Sequence, residues 1–192
     1  METIIRYLSH PQVQIEEAKE IHLWSLDAIG RQRVDRLVKS NALKGTTRVI
    51  SSMETKAIET AQPIADALGC DLEIRALMHE NDRTATGFLP QDEFEKVADA
   101  FFAHPDESVR GWETANAAQA RIVRAIEKCL KTQTEGHVLI VGHGGVGTLL
   151  FCALAGIPIA RKHDQGAGGG WYFEFTDAAR KPMAPWRRME NL

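Results

Sequence analysis

The run Val138-Leu139-Ile140-Val141 constrains this chain most, because four consecutive apolar residues read as a strand buried on both faces. The strand spans about His137 to Gly142, and Gly142-His143-Gly144-Gly145 then turns it into a helix from about Val146 to Ala155. Other segments alternate in the same way. Thr3 to Ser9 and Thr47 to Ser51 are β-rich, and Leu72 to Leu77 suits a third strand. Asp27 can cap a helix carrying Ile29, Val34, Leu37 and Val38 at helical spacing. Glu54 to Leu68 is helical with Gly69 as C-cap, and a further helix lies around Asp92 to Phe102. Ala118, Ile122, Ala125, Ile126 and Cys129 mark a long helix ending near Gly136, and Trp171 to Phe175 is the last strand. His79 to Pro90 is polar and reads as a loop. The order predicts an α/β fold of three layers, α/β/α, with a mostly parallel central sheet. The 192 residues suit a single domain over 1–192.

Ligands of such sheets bind beyond the carboxyl ends of the strands. His10 follows the first strand and His143 follows the strand at 138–141, so adjacent strands would bring both histidines over one pocket. A single histidine there is more plainly a loop residue bonded to backbone; two in matching positions favour a site. Gly144 and its neighbouring glycines let backbone approach an anion at a helix N-terminus. The same run fits Gly-x-Gly-x-x-Gly, a dinucleotide signal, but only one clear strand follows it, so a phosphate turn or a structural turn fits better.

Together the motifs resemble the histidine phosphatase superfamily, which includes the cofactor-dependent phosphoglycerate mutases. The resemblance runs from about Ile4 to Phe175. The family's strand ending in Arg-His-Gly is similar to Tyr7-Leu8-Ser9-His10-Pro11, and its Leu-(Thr/Ser)-x-x-Gly helix start to Leu26-Asp27-Ala28-Ile29-Gly30. Its Ser-Ser-x-x-x-Arg-Ala-x-x-Thr-Ala segment is matched by Ser51 to Ala61, with Lys56 in the arginine position. Glu80 stands where the family has an acidic residue after the third strand, and Glu113-Thr114 with Arg121 resembles the Gly-Glu-Ser-x6-Arg helix start.

The resemblance implies a phosphoglycerate mutase-like fold and a ping-pong phosphatase in which His10 carries the phosphoryl group. A neutral imidazole, of unperturbed pKa about 6.5, is a competent nucleophile near pH 7. His143, protonated, would stabilise the phosphoryl oxygens, and Glu80 would act as general acid and base. The plainer reading of Glu80 is a solvated loop carboxylate. Ser9, Lys56, Gly144 and Arg83 are the candidate phosphate-binding groups. Ser9 and Lys56 replace two arginines, so a charge and a bidentate grip are lost, and Pro11 removes an N–H. Arg83, otherwise a solvated loop arginine, could restore a cation; Arg6 lies ~13 Å before His10 and is poorly placed. A weakly active or inactive member that binds a phosphorylated ligand or protein is the competing reading. The short 78–90 loop favours a phosphatase over a mutase. Trp112 and Phe88 could touch a substrate, though aromatics in such places are usually core, and Trp186-Arg187-Arg188 reads as a solvated end.

No metal-ligand spacing occurs, and no cofactor or metal is expected. A net charge of −3 gives no sign of nucleic-acid or membrane partners. The expected partner is a phosphorylated small molecule or phosphoprotein, with phosphate or sulfate in the pocket; a homodimer is compatible. Three scattered cysteines fit buried thiols in a reducing compartment. The first residues lack a basic segment followed by an apolar run, so a cytoplasmic protein is expected.

Overall fold

A computed structural model describes residues 2–132 and 135–192. Its sheet is built from β1 (Ile4–Ser9), β2 (Thr46–Ser52), β3 (Leu72–Arg75), β4 (His137–Gly142), β5 (Trp171–Thr176) and β6 (Arg187–Arg188). The helices are α1 (Ala28–Lys39), α2 (Thr55–Leu68), α3 (Gln91–Ala103), α4 (Ala115–Leu130) and α5 (Gly144–Ala155). The strand order is β3-β2-β4-β1-β5-β6, parallel from β3 through β1, with β5 and β6 each antiparallel to its neighbour. The expected α/β fold with a mostly parallel sheet is therefore observed.

Strand alternation divides the core into two layers. Ile5, Tyr7, Ile50, Val138 and Ile140 pack with residues of α3, α4 and α5 on one face. Leu8, Val49, Leu139 and Val141 pack with residues of α1 and α2 on the other. Every residue of 138–141 is fully buried, as a central parallel strand requires. Asp27 caps α1 by accepting the Gly30 N–H at 2.7 Å, and Gly69 ends α2 in the left-handed region.

Three boundaries differ from expectation, each for a local reason. The third strand stops at Arg75, because a 3-10 turn over Ala76–Met78 swings Met78 into the core and leaves Leu77 exposed. The helix expected to run to about Gly136 ends at Leu130, where the Thr132 N–H and hydroxyl both return to the Cys129 carbonyl; residues 133 and 134 lie outside the described residues. Helix α5 starts at Gly144, two residues early, because the Glu80 carboxylate accepts the Gly145 and Val146 N–H groups at 3.0 and 2.8 Å.

The largest correction is the C-terminal segment, which is not a solvated end. The Trp186 indole packs edge-on against Phe173, 4.8 Å between ring centroids, and against Tyr7. Arg187 pairs with Glu174 at 2.8 Å and lies over the Tyr172 ring, while β6 extends the sheet edge. Short basic and aromatic residues carry too little periodicity for that pairing to be read from sequence. Cys129 and Cys152 are buried and Cys70 partly so, all as free thiols. Among the described residues no helix is long and apolar enough to cross a membrane.

Candidate active site

The pairing of β1 with β4 creates the site. Ser9 stands opposite Gly142 in the parallel register, so the residues that follow, His10 and His143, emerge side by side at the carboxyl ends. The His10 N–H donates to the Gly142 carbonyl at 2.9 Å, and the two imidazoles lie 5.3 Å apart, nearly edge to face. His10 is oriented by its own loop: Nδ1 donates to the Pro11 carbonyl at 2.8 Å. That bond puts the proton on Nδ1 and leaves the Nε2 lone pair free. Burial, then the nearby Lys56 ammonium, push the His10 pKa down to about 4, so the ring is neutral at pH 7.

His143 is fully buried and caps α5. The Tyr7 hydroxyl accepts its backbone N–H and donates to its carbonyl, both at 3.1 Å. Its Nε2 is hydrogen-bonded with Ser52 Oγ at 2.8 Å and lies 3.6 Å from Glu54 Oε1. Burial pushes the His143 imidazolium well below its ordinary pKa despite Glu54. The protonated His143 expected from the sequence is thus disfavoured in the unliganded pocket.

Glu54 was not singled out in the sequence, though it lies inside the Ser51–Ala61 motif. It is buried at the start of α2, accepts the Glu80 N–H at 2.8 Å and pairs with Lys56 at 2.5 Å. Burial alone would raise its carboxyl, but His143, Lys56 and the Glu80 N–H together hold it far below the usual carboxylate range. Lys56 is equally buried and also donates to the Ile21 carbonyl at 2.8 Å; burial draws its pKa down against the pull of Glu54. One cation that should face phosphate is therefore already paired.

Glu80 reaches the pocket on a braced loop. Arg121, two turns into α4, pairs with Glu113 at 2.7 Å and donates to the carbonyls of Leu77, His79 and Glu80. The Glu80 carboxylate accepts three backbone N–H groups, from Asn81, Gly145 and Val146. A cavity of about 420 Å³ is lined by His10, Glu80, Arg83, Phe94, Gly144 and Gln165 among others. A second, of about 470 Å³, adjoins Ile21, Glu54, Glu80 and Arg83. Arg83 lies over the Phe94 ring at 5.0 Å and borders both, so it is no solvated loop arginine.

Ser9 is placed differently. It is fully buried, and its hydroxyl meets Gln165 and the Trp171 backbone. Arg6 pairs with Glu174 on the sheet, and Trp112 belongs to the core with Phe94 and Phe101. Phe88 lies against Trp24. The segment after α5 returns as antiparallel β5, so no parallel βαβ unit follows the glycine turn, as a dinucleotide fold would require. Among the described residues no group of three or more His, Cys, Asp or Glu side chains could hold a metal ion.

A three-layer α/β fold with two histidines at adjacent parallel strand ends defines the phosphoglycerate mutase-like class. The native mycobacterial glucosyl-3-phosphoglycerate phosphatase superposes with a TM-score of 0.78 at 17% identity, covering 97% of each chain. That mycobacterial protein has also been solved with inorganic phosphate and with VO3. A phosphoserine phosphatase mutant from Entamoeba histolytica, bound to phosphoserine, gives 0.78 at 13% identity over 99% of each chain. A probable phosphoglycerate mutase GpmB of Enterobacter is 26% identical over 141 residues, 69% of this chain and 64% of that relative. The matched region thus spans under two thirds of the curated relative. The histidine phosphatase superfamily (branch 1) profile matches residues 15–168, and the chain belongs to that superfamily. The match begins just after His10 and leaves Ser9-His10-Pro11 outside it.

Proposed function

We propose that this chain hydrolyses phosphomonoesters through a phosphohistidine on His10. The observation that carries the reading is the fixed, neutral His10 ring, with Nδ1–H held by Pro11 and Nε2 left as nucleophile beside His143. In the first step Nε2 attacks phosphorus, the N–P bond forms and the P–O ester bond breaks. The leaving oxygen takes its proton from the monoanionic phosphoester by way of the Glu80 carboxylate. Water then attacks phosphorus, passes a proton to Glu80 and releases inorganic phosphate as the electron pair returns to Nε2. Dividing the displacement in this way replaces one hard step with two easier ones. His143 gains a proton as the anion arrives, since the phosphoryl charge offsets what burial costs the imidazolium. Arg83 supplies the fixed positive charge, since Lys56 is paired with Glu54, and Gly144 brings the α5 N-terminus near. No step uses a metal, so activity should withstand chelators. The short 78–90 loop favours water as acceptor.

A second reading is a phosphate-binding protein with feeble turnover, and the buried Glu54–Lys56 pair favours it by neutralising a cation inside the pocket. Rapid quenching with radiolabelled p-nitrophenyl phosphate separates the two. The hydrolase gives an acid-labile, base-stable label on His10 that His10→Ala abolishes. Absence of label and turnover across a broad phosphoester panel, with phosphate still bound, establishes the binder instead.

A further inference from the structure

Gln165, in the segment between α5 and β5, belongs to none of the motifs quoted above, yet one hydrogen bond holds its backbone and another its side chain. Its backbone N–H donates to Asp164 Oδ1 at 2.8 Å, and that same oxygen accepts the Thr148 hydroxyl of α5 at 2.8 Å. Its amide oxygen meets Ser9 Oγ at 2.5 Å. The Trp171 N–H donates to that same serine oxygen at 3.0 Å. A serine oxygen that accepts from a backbone N–H gives its own proton to the nearest acceptor, here the Gln165 carbonyl oxygen at 2.5 Å and not the Trp171 carbonyl at 3.2 Å. With the carbonyl end turned to Ser9, the NH2 end turns the other way.

That end lies over the start of α5. A Cβ built on Gly144 would stand 2.3 Å from Gln165 Nε2, so the glycine is the residue that lets the amide lie there. Gln165 lines the 420 Å³ cavity together with His10, Glu80 and Arg83, and among the described residues no protein group accepts from its Nε2.

We infer that Gln165 is a phosphoryl-oxygen ligand, its NH2 donor oriented by Ser9, and that this Ser9–Gln165 pair fills the place of the arginine missing before His10. The inference rests on the phosphoryl-binding reading of the pocket and extends it to a residue that no motif marks. Ser9 acts as a positioning residue: its hydroxyl selects which end of the amide faces the pocket. Lysine, arginine and amide donors differ in kind, and the amide offers direction without charge. The site would therefore recognise the geometry of the phosphoryl group with less net positive charge than an arginine pair supplies.

The test uses the full chain, with orthovanadate affinity and labelling of His10 by p-nitrophenyl phosphate read separately. Loss of one preorganised donor typically costs ~10²–10³ in rate. Gln165→Ala should weaken vanadate at least tenfold and slow His10 labelling by ~10². Gln165→Glu, nearly isosteric but an acceptor only, should be worse than Ala. Ser9→Ala should weaken vanadate in the wild-type background and add nothing to Gln165→Ala, a coupling that a merely structural serine would not produce. Thermal melts of each variant separate misfolding from lost ligation, and if Ala unfolds the chain the Glu variant carries the test. Vanadate affinity within twofold of wild type for Gln165→Glu, or full additivity of Ser9→Ala with Gln165→Ala, overturns the inference while His10 labelling keeps the hydrolase reading. Gln165-dependent vanadate binding without label sustains the inference and removes the hydrolase. Wild-type protein that neither binds vanadate nor labels overturns both.

Discussion

Arg33 of α1 ties together the loop beneath His10, the glycine strap and the C-terminus. Its guanidinium donates to Gln12 Oε1 at 2.8 Å and to the carbonyls of Gly168, Gly169 and Gly170 at 3.3, 3.0 and 3.1 Å. It also holds both oxygens of Glu190, at 2.5 and 3.1 Å. The three glycines all sit at positive φ, between 61° and 85°, where other residues are strained. The Gly170 N–H in turn donates to the His10 carbonyl at 2.9 Å, so the strap is the partner of the nucleophile's own backbone. Arg33→Met keeps the buried stem and removes only the guanidinium. Gly170 keeps its second donor, the Met189 N–H, and Glu190, whose side chain is 39% exposed, can rehydrate. The uncompensated loss falls on Gln12 and on the Gly168 and Gly169 carbonyls, of which Gly168 is already exposed. At ~1.5–3 kcal/mol for each hydrogen bond to a charged group, discounted for that solvent access, destabilisation should total ~2–4 kcal/mol. For a chain of this length that lowers the melting midpoint by roughly 5–15 °C. A loosened strap should also reduce kcat/KM by ~10², the usual effect of small misplacement at a reacting group. Calorimetry and steady-state hydrolysis of p-nitrophenyl phosphate read the two effects. A midpoint within 2 °C of wild type would show that the strap holds itself without Arg33, and the reasoning would fail.

Protonation of His10 should set the acid limb of kcat/KM at about pH 4. A limb near 6.5 would contradict its burial beside Lys56; Lys56→Met should move it upward. The two histidine pKa values are depressed in the fold, so between about pH 6.5 and 4 the unfolded chain binds more protons. Stability must therefore fall as pH drops through that window. Glu54, also depressed, removes more below about 4.5, and a flat denaturation midpoint from pH 7 to 4 would refute the argument. Tyr7→Phe preserves the ring packing but strands the His143 N–H, and should cost ~1–3 kcal/mol in urea titration together with weaker vanadate binding. Unchanged vanadate affinity would mean that the Tyr7 hydroxyl does not position His143. Trp186→Ala should cost ~3–5 kcal/mol, and a neutral result would return the C-terminal segment to the status of a solvated tail.

Local pattern alone carried five of the six strands, most helices and the position of the two histidines. The apolar run at 138–141 announces its burial, the Asp27 and Gly69 caps are single-residue signals, and the residue after a parallel strand faces the ligand side by topology. Glu113, Thr114 and Arg121 were legible as a motif, although only the fold shows that Arg121 braces the carbonyls behind Glu80. What depended on contacts between residues far apart in the chain was not legible. Gln165 becomes meaningful only because β5 runs beside β1 and brings it to Ser9, 156 positions earlier. Arg33 and Glu190 meet across 157 positions, and Trp186 finds its place only against Phe173 and Tyr7. Glu54 stood in plain view inside a motif, but a carboxylate two residues before Lys56 looks like an exposed helix start until the fold buries it against His143. The sequence by itself determined the layers and which residues stand at the strand ends, because period and propensity act over a few residues. Only tertiary structure decided the charge of the pocket and which donors remain free, because burial and pairing are properties of neighbours in space.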